Sequence, residues 1–276
     1  MQSLAVRIFT LAITLAAMAM TGPTSASAAA SPWEESEGGR IRLVALPPQP
    51  DGTVEAILQI DLKPGWKTYW RDPGASGMAP EMDFSASSNI SLTDTGFPPP
   101  QHLTEGTSSL IGYDRPVSLV LTFRQDRTGK PSVLAGRLLV GICETICIPV
   151  MADINLELVP GTPVDPGEFT AVRLASAQLP EKPSTDMSIT SADLAATGRQ
   201  LTMTVRVPDA GTPAIFIANP PGFALGHPAI TVNPDGTASV TTDILRQPAN
   251  ASLKGTVLTV LVITGDRSME TRVTPR

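Results

Sequence analysis

A strand–turn–strand pattern surrounds the chain's two cysteines in the stretch LAGRLLVGICETICIPVMADINLEL, residues 134–158, and decides the fold. Residues 134–142 are rich in branched apolar side chains, which favour strands. Apolar and polar side chains alternate over residues 154–158, and a period of two indicates a strand with one buried face. The stretch therefore predicts a β-hairpin whose end carries Cys143 and Cys147.

Similar strand patterns extend outward on both sides of this hairpin. They are predicted at residues 56–62, 117–123, 201–207, 214–218, 238–242 and 256–264. Turn-forming residues are dense, with 27 prolines and 22 glycines among 276 residues, and such a composition argues against a helical bundle. We therefore expect an all-β chain.

The spacing of these strands is typical of two immunoglobulin-like β-sandwich domains in tandem. The first is expected at residues 31–160, where it carries the cysteine pair, and the second at residues 187–276. The proline-rich residues 161–186 between them are interpreted as a linker with one short helix at residues 168–178.

Residues 1–30 have the pattern of a secretory signal peptide. Arg7 precedes a mainly apolar run at residues 8–20, and small residues follow up to a predicted cleavage site near Ala28 or Ala30. No later segment has the uninterrupted apolar length, about 18 residues, that a transmembrane helix needs. The mature chain is therefore expected to be exported, without a transmembrane segment, into an oxidising compartment where a disulfide persists.

Composition excludes several classes of function. The formal net charge of −6 disfavours nucleic acid and anionic membrane surfaces as partners. Two cysteines are too few for a disulfide-dense scaffold or for a four-cysteine zinc or iron–sulfur site. We predict no cofactor and no resident metal.

The short segment between the cysteines favours a reactive disulfide. Three intervening residues allow the Cα atoms of Cys143 and Cys147 to reach bridging distance, but so small a loop adds only about 2 kcal/mol of stability in the chain-entropy model. Glu144 places a negative charge beside the pair, which keeps a thiol pKa normal or raised and favours exchange inside a docked complex. Pro149 lacks a backbone N–H and is expected to end the strand ladder, so that the second strand leaves from about Val150.

Two other interpretations of the pair stay open. One is a Cu(I) site, because two thiolates suit this soft ion. Its further ligands would come from Met78, Met82, Met151, His102 or His227. The other is a structural disulfide in a module that binds a partner without chemistry.

Three motifs together resemble a known family. They are Gly65-Trp66-Lys67-Thr68-Tyr69-Trp70-Arg71-Asp72-Pro73-Gly74, then Gly112-Tyr113-Asp114-Arg115-Pro116-Val117, then Cys143 with Cys147-Ile148-Pro149. In this order and spacing they are similar to the N-terminal periplasmic domain of the thiol:disulfide interchange protein DsbD, and most similar to its copper-sensitivity-suppressor (Scs-type) variants. The resemblance covers residues 40–160, and the second block is loosely similar to an extra sandwich domain of some variants.

The resemblance implies a periplasmic electron relay on an immunoglobulin-like fold. The cysteine pair would receive electrons from a membrane donor and pass them to periplasmic thioredoxin-like proteins, with Cys147 as the attacking sulfur and Cys143 resolving the mixed disulfide. Tyr69 matches a tyrosine that packs near the pair. Trp66 and Trp70 are expected in the core or in the wall beneath the pair. The resemblance also links the chain to cytochrome c biogenesis and copper tolerance.

The sequence departs from the family in three respects. Its cysteine loop is shorter, and residues 103–106 hold no Phe or Tyr where the best-known members carry an aromatic cap over the disulfide. Shielding of the pair would then fall to Tyr69 or Trp70. The membrane segment and the thioredoxin-like domain of DsbD have no counterpart in this sequence, so the electron donor is expected to act in trans.

Overall fold

Two β-sandwiches follow one another along the chain, which confirms the predicted all-β fold of two immunoglobulin-like domains. The computed structural model describes residues 29–74, 77–105, 108–208 and 211–276. Most of the predicted signal peptide, residues 1–28, lies outside these ranges.

Within the described residues, the first sandwich consists of twelve strands. They are β1 (Ala29–Ala30), β2 (Glu34–Glu35), β3 (Gly39–Ala45), β4 (Thr53–Leu62), β5 (Lys67–Tyr69), β6 (Glu81–Asp83), β7 (Ile90–Gly96), β8 (Gln101–Glu105), β9 (Ser108–Tyr113), β10 (Val117–Gln125), β11 (Ser132–Cys143) and β12 (Cys147–Leu158). One sheet has the order β1-β3-β4-β10-β7, with β2 also paired to β3, and the other has the order β12-β11-β5-β9-β8, with β6 also paired to β11. All of these pairings are antiparallel.

The core of the first sandwich lies between these two sheets. Alternate residues of β4, among them Leu58 and Ile60, face residues of β11 such as Leu134 and Leu138, and all four are buried. Each fully buried side chain of this size contributes roughly 1.5–3 kcal/mol through removal from water. The period of two that predicted residues 56–62 as a strand therefore follows directly from this packing.

The cysteine hairpin forms as predicted, in continuous register from Ser132↔Leu158 to Cys143↔Cys147. However, the prediction that Pro149 ends the ladder is wrong, because β12 already begins at Cys147 and Pro149 pairs with Gly141.

The position of Pro149 in the sheet explains why it is tolerated. The Cα atoms of Cys143 and Cys147 are 4.1 Å apart, the close spacing of a non-hydrogen-bonded pair, and this kind of pair recurs at every second position. Gly141 and Pro149 are the next such pair, so no ladder bond is lost. β12 is also the edge strand of its sheet. The nitrogen of Pro149, which carries no hydrogen, therefore faces the side of β12 that has no neighbouring strand.

Helix α1 (Pro166–Ala177) lies in the predicted linker, close to the expected bounds. It begins at Asp165, whose carboxylate accepts hydrogen bonds from the backbone N–H groups of Gly167 and Glu168, as an N-cap does. Val172 and Ala175 are buried against the outer face of the first sandwich, in one cluster with Val44, Leu46, Ile57 and Val120. The segment thus packs on the first sandwich as well as connecting the two.

In the part of the chain that the structure describes, the second sandwich consists of eight strands. They are β13 (Ser188–Leu194), β14 (Gln200–Arg206), β15 (Ala214–Ala218), β16 (Ala224–Leu225), β17 (Ala229–Val232), β18 (Thr237–Arg246), β19 (Leu258–Thr264) and β20 (Arg267–Val273). β13, β14, β18 and β16 form one sheet in this order, with β17 also paired to β18, and β15-β19-β20 form the other. The four strands predicted here exist as β14, β15, β18 and β19, whereas β13, β16, β17 and β20 were not predicted.

The two sandwiches pack directly against each other. Phe216 of β15 and Leu261 of β19 belong to the same buried apolar cluster as the core of the first sandwich. This contact brings the second sandwich next to β5, the strand that carries Tyr69.

Candidate functional site

The two cysteines form a disulfide at the end of the β11–β12 hairpin. Cys143 is buried, with 2% of its surface exposed, whereas Cys147 is exposed. The two sulfurs therefore differ in access although they face each other in the same register. An incoming thiolate reaches the Cys147 side of the bridge more readily.

The loop between the cysteines projects from the sheet. The backbone N–H of Glu144 donates to the carbonyl of Ile146 over 3.2 Å, which closes the turn. The Ile146 side chain is 68% exposed, and Glu144 is exposed as well, with its Oε1 next to Gly65 on the turn before β5. An apolar side chain and an acidic one thus flank the exposed sulfur.

Tyr69 lies directly on the disulfide. Its Oη is 3.0 Å from the Sγ atom of Cys143 and 3.0 Å from that of Cys147. Because disulfide sulfurs carry no hydrogen, the phenol O–H is the donor in these contacts. Tyr69 is 3% exposed, so its hydroxyl acts on the sulfurs in a mostly water-free environment.

Strand pairing places this hydroxyl. Thr68 pairs with Ile142 of β11 and with Tyr113 of β9, and Tyr69 pairs with Gly112. The Thr68 hydroxyl also donates to the carbonyl of Gly141 over 2.9 Å. β5 is therefore fixed between the cysteine strand and β9, although it is only three residues long.

Glycine makes room for the Tyr69 ring. A Cβ atom on Gly141 would lie 3.1 Å from Cε2 of Tyr69 and 3.2 Å from Cβ of Met78, a tighter contact than side chains normally make. On the other side of the ring, a Cβ on Gly77 would lie 2.9 Å from Cε1 of Tyr69 and 2.2 Å from Cβ of Pro73. The phenol is thus held between two positions that carry no side chain.

The rest of the cover over the disulfide is aliphatic. Leu110 of β9 is buried in one cluster with Tyr69 and Cys143, and Met78 and Leu103 pack against it. Leu103 lies in residues 103–106, the segment for which the resemblance implied an aromatic cap and the sequence offered no aromatic residue. Here the β8–β9 hairpin supplies leucines at that place, while residues 106–107 lie outside the described part of the chain.

The two tryptophans, which were predicted to lie in the core or in the wall beneath the pair, belong to the main core. Trp66 and Trp70 lie in the large cluster between the sheets of the first sandwich. Trp70 is fully buried and meets Phe216 edge-on, with 6.0 Å between ring centroids. Of the two side chains suggested as a shield, Tyr69 touches the sulfurs and Trp70 faces the second sandwich.

The candidate copper ligands are spread over the molecule. Met78 packs at the disulfide cluster, whereas Met151 lies four residues beyond Cys147 on β12, about 13 Å along the strand. His102 and His227 meet each other at the contact between the sandwiches, with 6.0 Å between ring centroids. Within the described residues, no three His, Cys, Asp or Glu side chains gather as a metal site would require.

Sequence reasoning identified Cys143, Cys147 and Tyr69 but did not assign roles to Gly141 or Leu110. Gly141 is a glycine within a run of branched residues two positions before Cys143, and an isolated glycine inside a strand signals the close approach of another group. Leu110 follows residues with no clear apolar period, so its role depends on tertiary structure.

Comparisons with known proteins support the resemblance that the sequence predicted. Residues 42–158 match the family "Thiol:disulfide interchange protein DsbD, N-terminal", which confirms the predicted resemblance for the first sandwich. Residues 178–276 match a domain family of unknown function. A search of curated proteins found no match.

The chain is similar as a whole to a solved structure, the N-terminal periplasmic domain of ScsB from Proteus mirabilis. The two share 27% sequence identity and superpose with a TM-score of 0.67, over 90% of this chain and 99% of the other. The first sandwich is therefore similar to the N-terminal domain of a thiol:disulfide interchange protein. Among the described residues, no helix has the length and apolar character to cross a membrane.

Proposed function

We propose that the chain is a periplasmic electron relay that exchanges disulfides through Cys143 and Cys147. The observation that carries the proposal is the asymmetric bridge, with Cys147 exposed, Cys143 buried and the Tyr69 hydroxyl 3.0 Å from both sulfurs. The similarity of residues 42–158 to the DsbD N-terminal domain supports it.

Reduction of the relay begins at the exposed sulfur. A thiolate of a membrane donor in trans attacks Sγ of Cys147, which forms a mixed disulfide and releases Cys143 as a thiolate that takes up a proton. The donor's second thiol then breaks the mixed disulfide and forms the donor's own disulfide. Two electrons and two protons have then passed to the cysteine pair.

Delivery of the electrons reverses these roles. The Cys147 thiolate attacks the disulfide of a periplasmic thioredoxin-like protein, and Cys143 then attacks Cys147 to resolve the complex and restore the bridge. The burial of Cys143 suits a resolving sulfur, since it need only reach its neighbour across the hairpin.

Two measurements test this proposal. We expect a reduction potential between about −270 and −180 mV in defined redox buffers, the range of exchange proteins, whereas a value well below about −300 mV would indicate a structural bridge. We also expect Cys143→Ser to accumulate a mixed disulfide with an oxidised thioredoxin-like protein, and Cys147→Ser to accumulate none. Trapping by Cys147→Ser would reverse the assignment of the attacking sulfur.

We also propose that the mature, exported chain begins at Ala29. Ala29 and Ala30 pair with Ala45 and Val44 as β1, the first strand of the sandwich. Cleavage after Ala28 keeps this pairing, whereas cleavage after Ala30 removes it. N-terminal sequencing of the exported protein distinguishes the two sites.

A further inference from the structure

Two pairs of adjacent residues connect the cover of the disulfide to the second sandwich. Tyr69 and Leu103 face the cysteine cluster, while their chain neighbours Trp70 and His102 both contact Phe216 of β15. Because consecutive side chains of an extended strand point to opposite faces, each covering residue is backed by an anchoring one.

Phe216 is the point where these anchors meet. The His102 ring stacks on it at 4.6 Å between centroids and 20° between planes, and Trp70 meets it edge-on at 6.0 Å. Phe216 is 3% exposed. One side chain of the second sandwich thus supports both β5, through Trp70, and the β8–β9 hairpin, through His102.

The residues that follow Trp70 add two polar connections. Arg71 pairs with Glu270 of β20 over 3.1 Å, in a partly buried site where burial raises the pKa of the Glu270 carboxyl. The carboxylate of Asp72 accepts hydrogen bonds of 2.7 Å from both the backbone N–H and the side-chain amide of Asn219. Three consecutive residues after Tyr69 therefore contact three sites of the second sandwich.

The covering elements need such support. β5 has three residues, and β8 is the edge of its sheet and is paired only with β9 among the described strands. Among the described strand pairings, the β8–β9 hairpin is joined to the rest of this sheet only by the two pairs between β5 and β9, and a two-stranded hairpin without such neighbours is marginally stable. Opening of the β8–β9 hairpin would expose the Cys143 side of the disulfide, which is buried.

We propose that the second sandwich holds the cover of the disulfide closed and that Phe216 is the positioning residue for Tyr69 and Leu103. The inference rests on the proposed relay, since it describes how access to the same cysteine pair is set. A thiol reaches the bridge at a rate that depends on how often the cover opens, and the contacts of Phe216 keep that opening rare.

The test is the rate at which dithiothreitol reduces the disulfide of the folded, full-length protein. Phe216→Ala removes both aromatic contacts, and we expect reduction to become at least about fivefold faster, which corresponds to about 1 kcal/mol. Phe216→Leu keeps an apolar side chain in place and should return the rate most of the way to that of the unchanged protein.

Phe223→Ala is the matched control. Phe223 is buried in the separate core of the second sandwich, so its loss lowers stability comparably without touching the cover. Its reduction rate should equal that of the unchanged protein. If Phe216→Ala and Phe223→Ala react equally fast, the proposal is overturned.

Asp72→Ala is a second test variant, and it leaves the apolar core intact. It removes both hydrogen bonds from Asn219, and we expect faster reduction in the same direction as for Phe216→Ala. If Phe216→Ala does not fold, an unchanged rate in Asp72→Ala overturns the proposal. A reduction potential well below the range of exchange proteins would contradict the proposed relay. The rates of reduction by dithiothreitol would still decide whether Phe216 supports the cover.

Discussion

The hydroxyl of Tyr69 is expected to tune the cysteine pair, and Tyr69→Phe removes it while leaving the ring between Gly141 and Gly77. In the oxidised protein the hydroxyl meets sulfurs that are weak acceptors. In the reduced protein the same O–H, 3.0 Å from each sulfur position, would donate to a thiolate. The substitution therefore destabilises the reduced, ionised form more than the oxidised one.

The expected size of this effect follows from the charge on the acceptor. A hydrogen bond to a charged group contributes about 1.5–3 kcal/mol. Its loss should raise the pKa of the attacking thiol by about 1–2 units, since one unit corresponds to about 1.4 kcal/mol. Above the thiol pKa, the reduction potential should become more negative by about 30–60 mV, at about 30 mV for each 1.4 kcal/mol.

The assay is the pH dependence of alkylation of the reduced protein by iodoacetamide, together with the potential at pH 7 and pH 9. Tyr113→Phe is the control, because the buried Tyr113 hydroxyl donates to the carbonyl of Pro98 over 2.8 Å, away from the sulfurs. If Tyr69→Phe and Tyr113→Phe give the same thiol pKa, Tyr69 is a packing residue and the reasoning is refuted.

Three further predictions concern stability. Asn89→Ala should lower the free energy of unfolding in urea by about 2–4 kcal/mol, because it removes several hydrogen bonds between the buried Asn89 side chain and the backbone of Arg127 and Pro131 and its φ of 59° disfavours alanine. At the exposed Asn250 the same change should cost about 1 kcal/mol. Val172→Ala should cost about 1–3 kcal/mol by undocking α1 from its apolar site, whereas Leu174→Ala, at a 62% exposed position of the same helix, should be nearly neutral. Burial lowers the pKa of His102, so the folded chain binds a proton there less readily than the unfolded chain; thermal stability should fall as pH drops below about 6.5, and His102→Gln should flatten that slope.

Local periodicity was sufficient to predict much of the architecture. The alternation in residues 56–62 and 154–158 follows from one buried face in β4 and β12, and both strands were predicted. β8 was not, because Gln101, His102 and Thr104 give it no apolar period. Its place depends on pairing with β9 and on the contact of His102 with Phe216, and neither is visible in a local window.

The candidate site was predicted in part for the same reason. Spacing in the chain was enough to bring Cys143 and Cys147 together, since they close one hairpin. Tyr69 lies 74 residues before Cys143, and only the resemblance to a known family pointed to it. Its contact with the second sandwich through Trp70 required the tertiary structure, because nothing in the sequence around Phe216 marks it as an interface residue.

The disulfide contributes little to the fold that carries it, and this suits a bridge that opens and closes. The hairpin is held by twelve cross-strand pairs from Ser132↔Leu158 to Cys143↔Cys147, and the bridge joins only the last of them. Closing so short a loop adds about 2 kcal/mol in the chain-entropy model, a small part of what the buried core of two sheets supplies. Reduction can therefore change the chemistry at the end of the hairpin while β11, β12 and the Tyr69 strand keep their register.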